Sequence, residues 1–125
     1  MAIEHVILVG HCGFDSRGLM AFIKEVNRGG DVKITRVNKQ KGLAEYRNEQ
    51  SLWLINRVLD GRFDAGDGLE MIKLEAQEAG GHRLMLITNY EDWLDAAQKA
   101  GGLEGFGKSE VGTSQAGEIL KRAMR

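Results

Sequence analysis

Two stretches of the chain hold the side chains best able to do chemistry. His11 and Cys12, closely followed by Asp15 and Arg17, gather an imidazole, a thiol, a carboxylate and a guanidinium. A cysteine acts as a nucleophile through its thiolate, so a Cys12-based reaction would need a lowered thiol pKa. His11, Cys12 and Asp15 are also types that ligate zinc. A structural zinc usually needs four ligands, and the sequence offers neither a second cysteine nor a suitably spaced histidine pair. The second stretch, Ser51-Leu-Trp-Leu-Ile-Asn56, ends an apolar run on an amide. A carboxylate there could accept a phosphoryl group or hold a metal; an amide carries no charge and is a poor nucleophile. Further on, Thr88 supplies a hydroxyl and Lys108 an ammonium group, each just after a short apolar run.

These residues are positioned by regularly alternating elements. His5 to Val9 reads as a buried strand. A helix follows, capped by Asp15 or Ser16, with Leu19, Met20, Phe22, Ile23 and Val26 inward and Gly29-Gly30 as its stop. Val32 to Val37 alternates apolar with polar residues, the mark of an edge strand. A short polar helix is expected around Lys41 to Asn48, with Leu43, Ala44 and Tyr46 as its contacts. Leu52 to Ile55 is a strand covered on both faces. Asp67 or Gly68 starts a helix carrying Leu69, Met71, Ile72 and Leu74, ended by Gly80-Gly81. Leu84 to Ile87 is the fourth strand, Glu91 to Ala100 a helix, Leu103 to Phe106 the fifth strand, and Ser114 to Met124 the last helix. Five strand–helix pairs in this order predict an α/β fold, a doubly wound five-stranded parallel sheet with helices on both faces.

Composition narrows the function classes. A chain of 125 residues can bury one core, so residues 1–125 are expected to form a single domain. The net charge is -1, with 17 basic and 18 acidic residues, so no basic field draws nucleic acid. No apolar run is long enough for a membrane span, and no signal segment is expected ahead of the first strand. A lone cysteine suits a reducing compartment, and a cytoplasmic location is expected. Seventeen glycines and no proline imply that glycine makes most of the turns.

Together these marks resemble the response-regulator receiver domain over essentially the whole chain. Asn56-Arg57-Val58-Leu59-Asp60-Gly61 is similar to the family's Asp-x-x-x-Pro-Gly after the third strand. Asp67-Gly68-Leu69-Glu70 is similar to the Asp-Gly-hydrophobic-Glu that opens the third helix. Thr88 and Lys108 match the family's switch hydroxyl and site lysine. The resemblance implies the flavodoxin-like strand order 2-1-3-4-5 and a role in two-component signal transduction. It also implies a partner-docking or self-association face formed by the fourth helix, fifth strand and last helix. Tyr90, Trp93 and Phe106 are its candidate contacts, with Tyr90 the better exposed and Trp93 read mainly as core.

The departures from the family fall on its chemistry. His11-Cys12 stand where receivers carry two metal-binding acids, and Asn56 stands at the acceptor aspartate. Asp60 replaces a proline, Ser109 replaces another, Asn89 replaces a small residue, and Gly105 falls near the switch aromatic. Mg²⁺ prefers hard oxygen ligands, and aspartyl phosphorylation needs a carboxylate. The expectation is a pseudo-receiver that is not an enzyme, takes no metal or cofactor, and acts by protein–protein interaction. Its vestigial phosphorylation pocket comprises Asn56, Thr88, Lys108, His11 and Cys12.

Within that pocket Lys108 must find another partner, with Asp15, Asp60 and Asp64 as candidates, or turn to solvent. His11 is expected to bond Asn56 or a loop carbonyl, and Cys12 to be a buried or half-buried thiol. Two alternatives stand beside this reading. One is a small-ligand or anion-binding regulatory module using the same pocket. The other is a Cys12-based phosphatase-like enzyme, since His11-Cys12-x4-Arg17 is one residue short of the cysteine phosphatase loop His-Cys-x5-Arg. Asp60, Asp64 and Asp67 lack calcium-loop spacing and read as solvated loop acids, with Asp67 a helix cap.

Overall fold

The computed structural model describes residues 2–125. Its strands are β1 (His5–Val9), β2 (Lys33–Val37), β3 (Ser51–Asn56), β4 (Arg83–Ile87) and β5 (Leu103–Phe106). Its helices are α1 (Gly13–Val26), α2 (Ala44–Arg47), α3 (Gly68–Glu75), α4 (Glu91–Lys99) and α5 (Ser114–Met124). The strands form one parallel sheet in the order β2-β1-β3-β4-β5, the flavodoxin-like arrangement expected from the sequence.

Side-chain alternation along the strands divides the interior into two layers. Val6, Leu8, Leu52, Leu54, Met85 and Ile87 face α1 and α5, where Leu19, Phe22, Ile23 and Leu120 complete the packing. Ile7, Val9, Trp53, Ile55, Leu84 and Leu86 face the other side, against Leu43, Met71, Ile72 and Ala97. β1, β3 and β4 are central strands covered on both faces, which is why they read as continuous apolar runs. β2 lies at an edge and keeps exposed positions, as its alternation indicated.

Several local expectations change. Helix α1 is capped by Cys12, whose Sγ accepts from the Asp15 N–H at 3.4 Å, so Asp15 and Ser16 lie inside the helix. The expected polar helix resolves into a 3₁₀ turn at Gln40–Gly42 and the single turn α2. Leu43 is in the core there, but Ala44 is exposed. Helix α3 begins on the Asp67 cap but ends at Glu75, short of Gly80, and leaves Leu74 on its outer side.

The largest correction concerns Phe106, expected on an interaction surface. Opposite Met85–Ile87, β5 carries one residue more between Leu103 and Phe106, a bulge that shifts the pairing. Gly105 sits in it with its Cα pressed on β4; a Cβ there would lie 1.9 Å from the Leu86 carbonyl oxygen. Beyond the bulge Phe106 turns inward, is fully buried, and meets Phe22 edge to face with centroids 5.7 Å apart. It is a core residue and offers no surface to a partner.

Candidate functional site

β1 and β3 are neighbours although β2 lies between them in sequence, so the chain leaves the sheet in opposite directions at their carboxyl ends. In open α/β sheets that switch point is where ligands bind. His11 follows β1 and Asn56 ends β3, so both stand at this crevice.

Asn56 is buried, and its amide acts as a donor. Nδ2 donates to the Gly10 carbonyl at 3.1 Å and to the Val58 carbonyl at 2.7 Å, while Oδ1 has no partner. One side chain thus ties the loop after β1 to the loop after β3. A carboxylate could donate neither bond. Gly68 lets the start of α3 press on the same residue's main chain: a Cβ on it would stand 2.2 Å from the Asn56 carbonyl oxygen.

His11 is also buried but does not reach Asn56. Its Nε2–H donates to the Leu54 carbonyl, in strand β3, at 2.8 Å, and Nδ1 has no partner. Burial, opposed by that bond and assisted by the Lys108 charge, lowers the imidazole pKa to about 4. The ring is therefore neutral at pH 7, with Nδ1 as an acceptor.

Lys108 follows β5, and of its three candidate partners it takes Asp15. Nζ lies 2.9 Å from Asp15 Oδ2, across the gap between β5 and α1. The Lys108 hydrogen bond holds the Asp15 carboxyl below its ordinary pKa. Thr88 is buried at the end of β4, and its hydroxyl accepts weakly from the Tyr90 N–H at 3.4 Å. Cys12 is exposed, contrary to the expected burial, because the capping position stands outside the sheet.

Residues that drew little attention in the sequence complete the site. Asn38, just after β2, donates from Nδ2 to the carbonyls of His11 and Asp60. Gln40 N–H donates to the Arg62 carbonyl and Arg62 N–H to the Asn38 carbonyl. The loop before Asp67 is therefore zipped to the exit of β2. Asn89 Oδ1 accepts from both the backbone N–H and the hydroxyl of Ser109, fastening the loop after β4 to that after β5. The Arg57 guanidinium lies 4.9 Å from the Tyr90 ring centroid and 5.0 Å from that of Trp93. Asn and Asp after strand ends were the available signals for the loop ties. Nothing local signalled the Arg57 stack, which joins two separate loops.

The remaining histidines lie at the opposite pole of the sheet. His5 bonds Glu49 and Thr35, and His82 bonds Glu75. Among the described residues no three His, Cys, Asp or Glu side chains come together as a metal site. Nor does any helix among them have the length and apolarity to cross a membrane.

No family model and no curated protein sequence matches this chain. Among solved structures it is similar to a response regulator receiver domain from Rhodospirillum rubrum. The TM-score is 0.62 over 94% of this chain and 89% of that one, at 10% identity. The likeness is one of fold.

Proposed function

We propose that the chain is a pseudo-receiver, a signalling domain that works by protein–protein interaction without phosphorylation at the usual site. The observation that carries this reading is the donor role of Asn56. An acceptor aspartate must present nucleophilic carboxylate oxygens to phosphorus and metal, whereas Asn56 carries an uncharged amide whose NH₂ group holds two loops together. Lys108 supports the same reading, since its charge is answered by Asp15 without any phosphate. The receiver-like fold of the comparison structure makes signal transduction the natural setting.

The docking face in this proposal runs along α4, β5 and α5. β5 is an edge strand, Leu103 is partly exposed on it, and Tyr90 at the head of α4 is 57% exposed. Trp93 is half-buried, and the Arg57 guanidinium lies against both its ring and that of Tyr90. A phosphatase-like reaction at Cys12 has weaker support. The Asp15 amide that would help cradle phosphate instead donates to Sγ as a helix cap.

A two-dimensional NMR titration with Mg²⁺ and then beryllofluoride, a phosphoryl mimic, tests the proposal. Resonances of Asn56, Thr88 and Lys108 should stay in place at saturating concentrations. Saturable shifts of those three residues would overturn it.

A further inference from the structure

Adjoining the Asn56 pocket and sharing His11 and Lys108 with it, a cavity of about 130 Å³ lies between α1 and the start of the β5–α5 connection. Leu19, Ile87 and Val111 form apolar walls, and Phe14 stands at the rim with 80% of its surface exposed. The polar end is the Lys108–Asp15 ion pair, with the His11 ring alongside. Asn56 and Thr88 are not part of its lining.

Gly18, which also lines the cavity, gives a second observation. It lies in the interior of α1, where glycine costs about 1 kcal/mol relative to alanine. Nothing in the chain's own packing calls for it, because a Cβ at Gly18 would meet no atom within 4 Å. The missing side chain keeps the mouth open. An enclosed apolar cavity of about 150 Å³ accepts a benzene-sized molecule; this one approaches that volume but opens to solvent beside Phe14.

From the walls and the polar end together, we infer that this cavity binds a small uncharged molecule with an apolar body and one hydroxyl or N–H group. The body packs on Leu19, Ile87 and Val111, under Phe14. The polar group donates to Asp15 and, as a hydroxyl, accepts from Lys108. Charged ligands fit poorly. An anion would sit beside the Asp15 carboxylate and a cation beside the Lys108 ammonium, each losing hydration against apolar walls. His11 is neutral at pH 7 and adds no charge of its own. This site shares His11 and Lys108 with the vestigial pocket but does not rest on the loss of phosphorylation, and shifts at Leu19, Ile87 and Val111 tell the two apart.

Phenol is the probe, with benzene and inorganic phosphate as comparators, in NMR titrations of the whole chain. Phenol should give saturable shifts at Leu19, Ile87, Val111 and Lys108. Benzene should bind about fivefold more weakly, the equivalent of one net hydrogen bond. Phosphate should shift none of these residues saturably. Gly18→Leu fills the mouth and should weaken phenol about tenfold or more. Lys108→Met, which keeps the apolar stem, should narrow the preference for phenol over benzene and covers the case of a Gly18→Leu chain that does not fold. Absence of saturable phenol shifts, equal affinity for phenol and benzene, saturable phosphate shifts, or full phenol binding by Gly18→Leu would each overturn the inference.

Discussion

Lys108 Nζ stands 2.9 Å from Asp15 Oδ2, so the ammonium beyond β5 is neutralised by a carboxylate from the first turn of α1. The bond spans the sheet's carboxyl edge and ties the turn after β5 to the start of α1. It also gives Lys108 a partner within the chain, which a phosphoryl group would have to displace.

The ion pair should be worth little to stability. Its side chains are 39% and 29% exposed, and at that exposure solvent screening holds the contribution below about 1 kcal/mol. Lys108→Ala should therefore move the urea midpoint only slightly while shifting the amide resonances of Asp15 and Phe14. The Asp15 carboxyl is held below its ordinary value of 3.8, so the stabilisation is present above that pH and disappears as the pH falls through the folded-state value. A loss of several kcal/mol in Lys108→Ala would show that the pair is structurally dominant.

Restoring a carboxylate at the end of β3 should not restore a receiver. Asn56→Asp loses both donor bonds and turns negative oxygens toward the carbonyls of Gly10 and Val58. The buried position makes this cost roughly 2–4 kcal/mol. Urea denaturation at pH 7 measures it, and an Asn56→Asp chain as stable as the parent would refute the tie between the loops.

His11 should make the fold acid-sensitive. Its pKa drops from 6.5 to about 4 on folding, chiefly through burial, so the unfolded chain binds more protons than the folded one between those values. Stability from this group is fully present above about pH 6.5 and falls as the solution is acidified toward 4. The total is roughly 3 kcal/mol. An NMR titration of the imidazole C–H signals should place the His11 inflection near pH 4, and His11→Phe should flatten the stability profile across that window. An inflection near 6.5 would contradict the buried neutral ring.

Two helix-interior glycines should be improvable. An added Cβ meets nothing at Gly18 and only Val26 Cγ2 at 3.7 Å at Gly117, an ordinary contact. Gly18→Ala and Gly117→Ala should each stabilise by about 0.5–1 kcal/mol, through helix propensity and a less flexible unfolded chain. Thermal denaturation reads the effect as a raised Tm, and destabilisation by either would mean that the α1–α5 groove is tighter than described.

What the sequence made legible were features set by nearest neighbours or by periodicity. The apolar run Leu52 to Ile55, the edge alternation of β2, the Asp67 cap and the helix from Ser114 to Met124 all follow from local rules. For Lys108, charge complementarity alone names Asp15, Asp60 and Asp64 as partners but leaves solvent as an equal alternative, and the structure selects Asp15. What escaped depended on distant segments meeting. Cys12 takes the cap expected of Asp15 or Ser16, since chain direction after β1 decides which residue stands outside the helix. The Arg57 stack needs the loops after β3 and β4 side by side. Asn38 ties the loop before Asp67 to the end of β2 because that loop folds back on it, and Phe106 turns inward because of the bulge in β5.

That inward turn separates two aromatic residues the sequence placed on one surface. Phe106 is fully buried against Phe22, whereas Tyr90 is mostly solvent-facing with Arg57 against its ring. Phe106→Ala should cost roughly 3–5 kcal/mol, the range for deleting a core phenylalanine. Tyr90→Ala removes one cation–π contact near the surface and should cost about 1 kcal/mol or less. The proposed docking role predicts the reverse order for association. In analytical ultracentrifugation, with a bound partner or with the chain alone, Tyr90→Ala should weaken the complex about tenfold or more, as hot-spot tyrosines do. It should do so while circular dichroism stays unchanged. A Tyr90→Ala chain that associates as tightly as the parent would remove α4 from the interface and move the docking face elsewhere on the molecule.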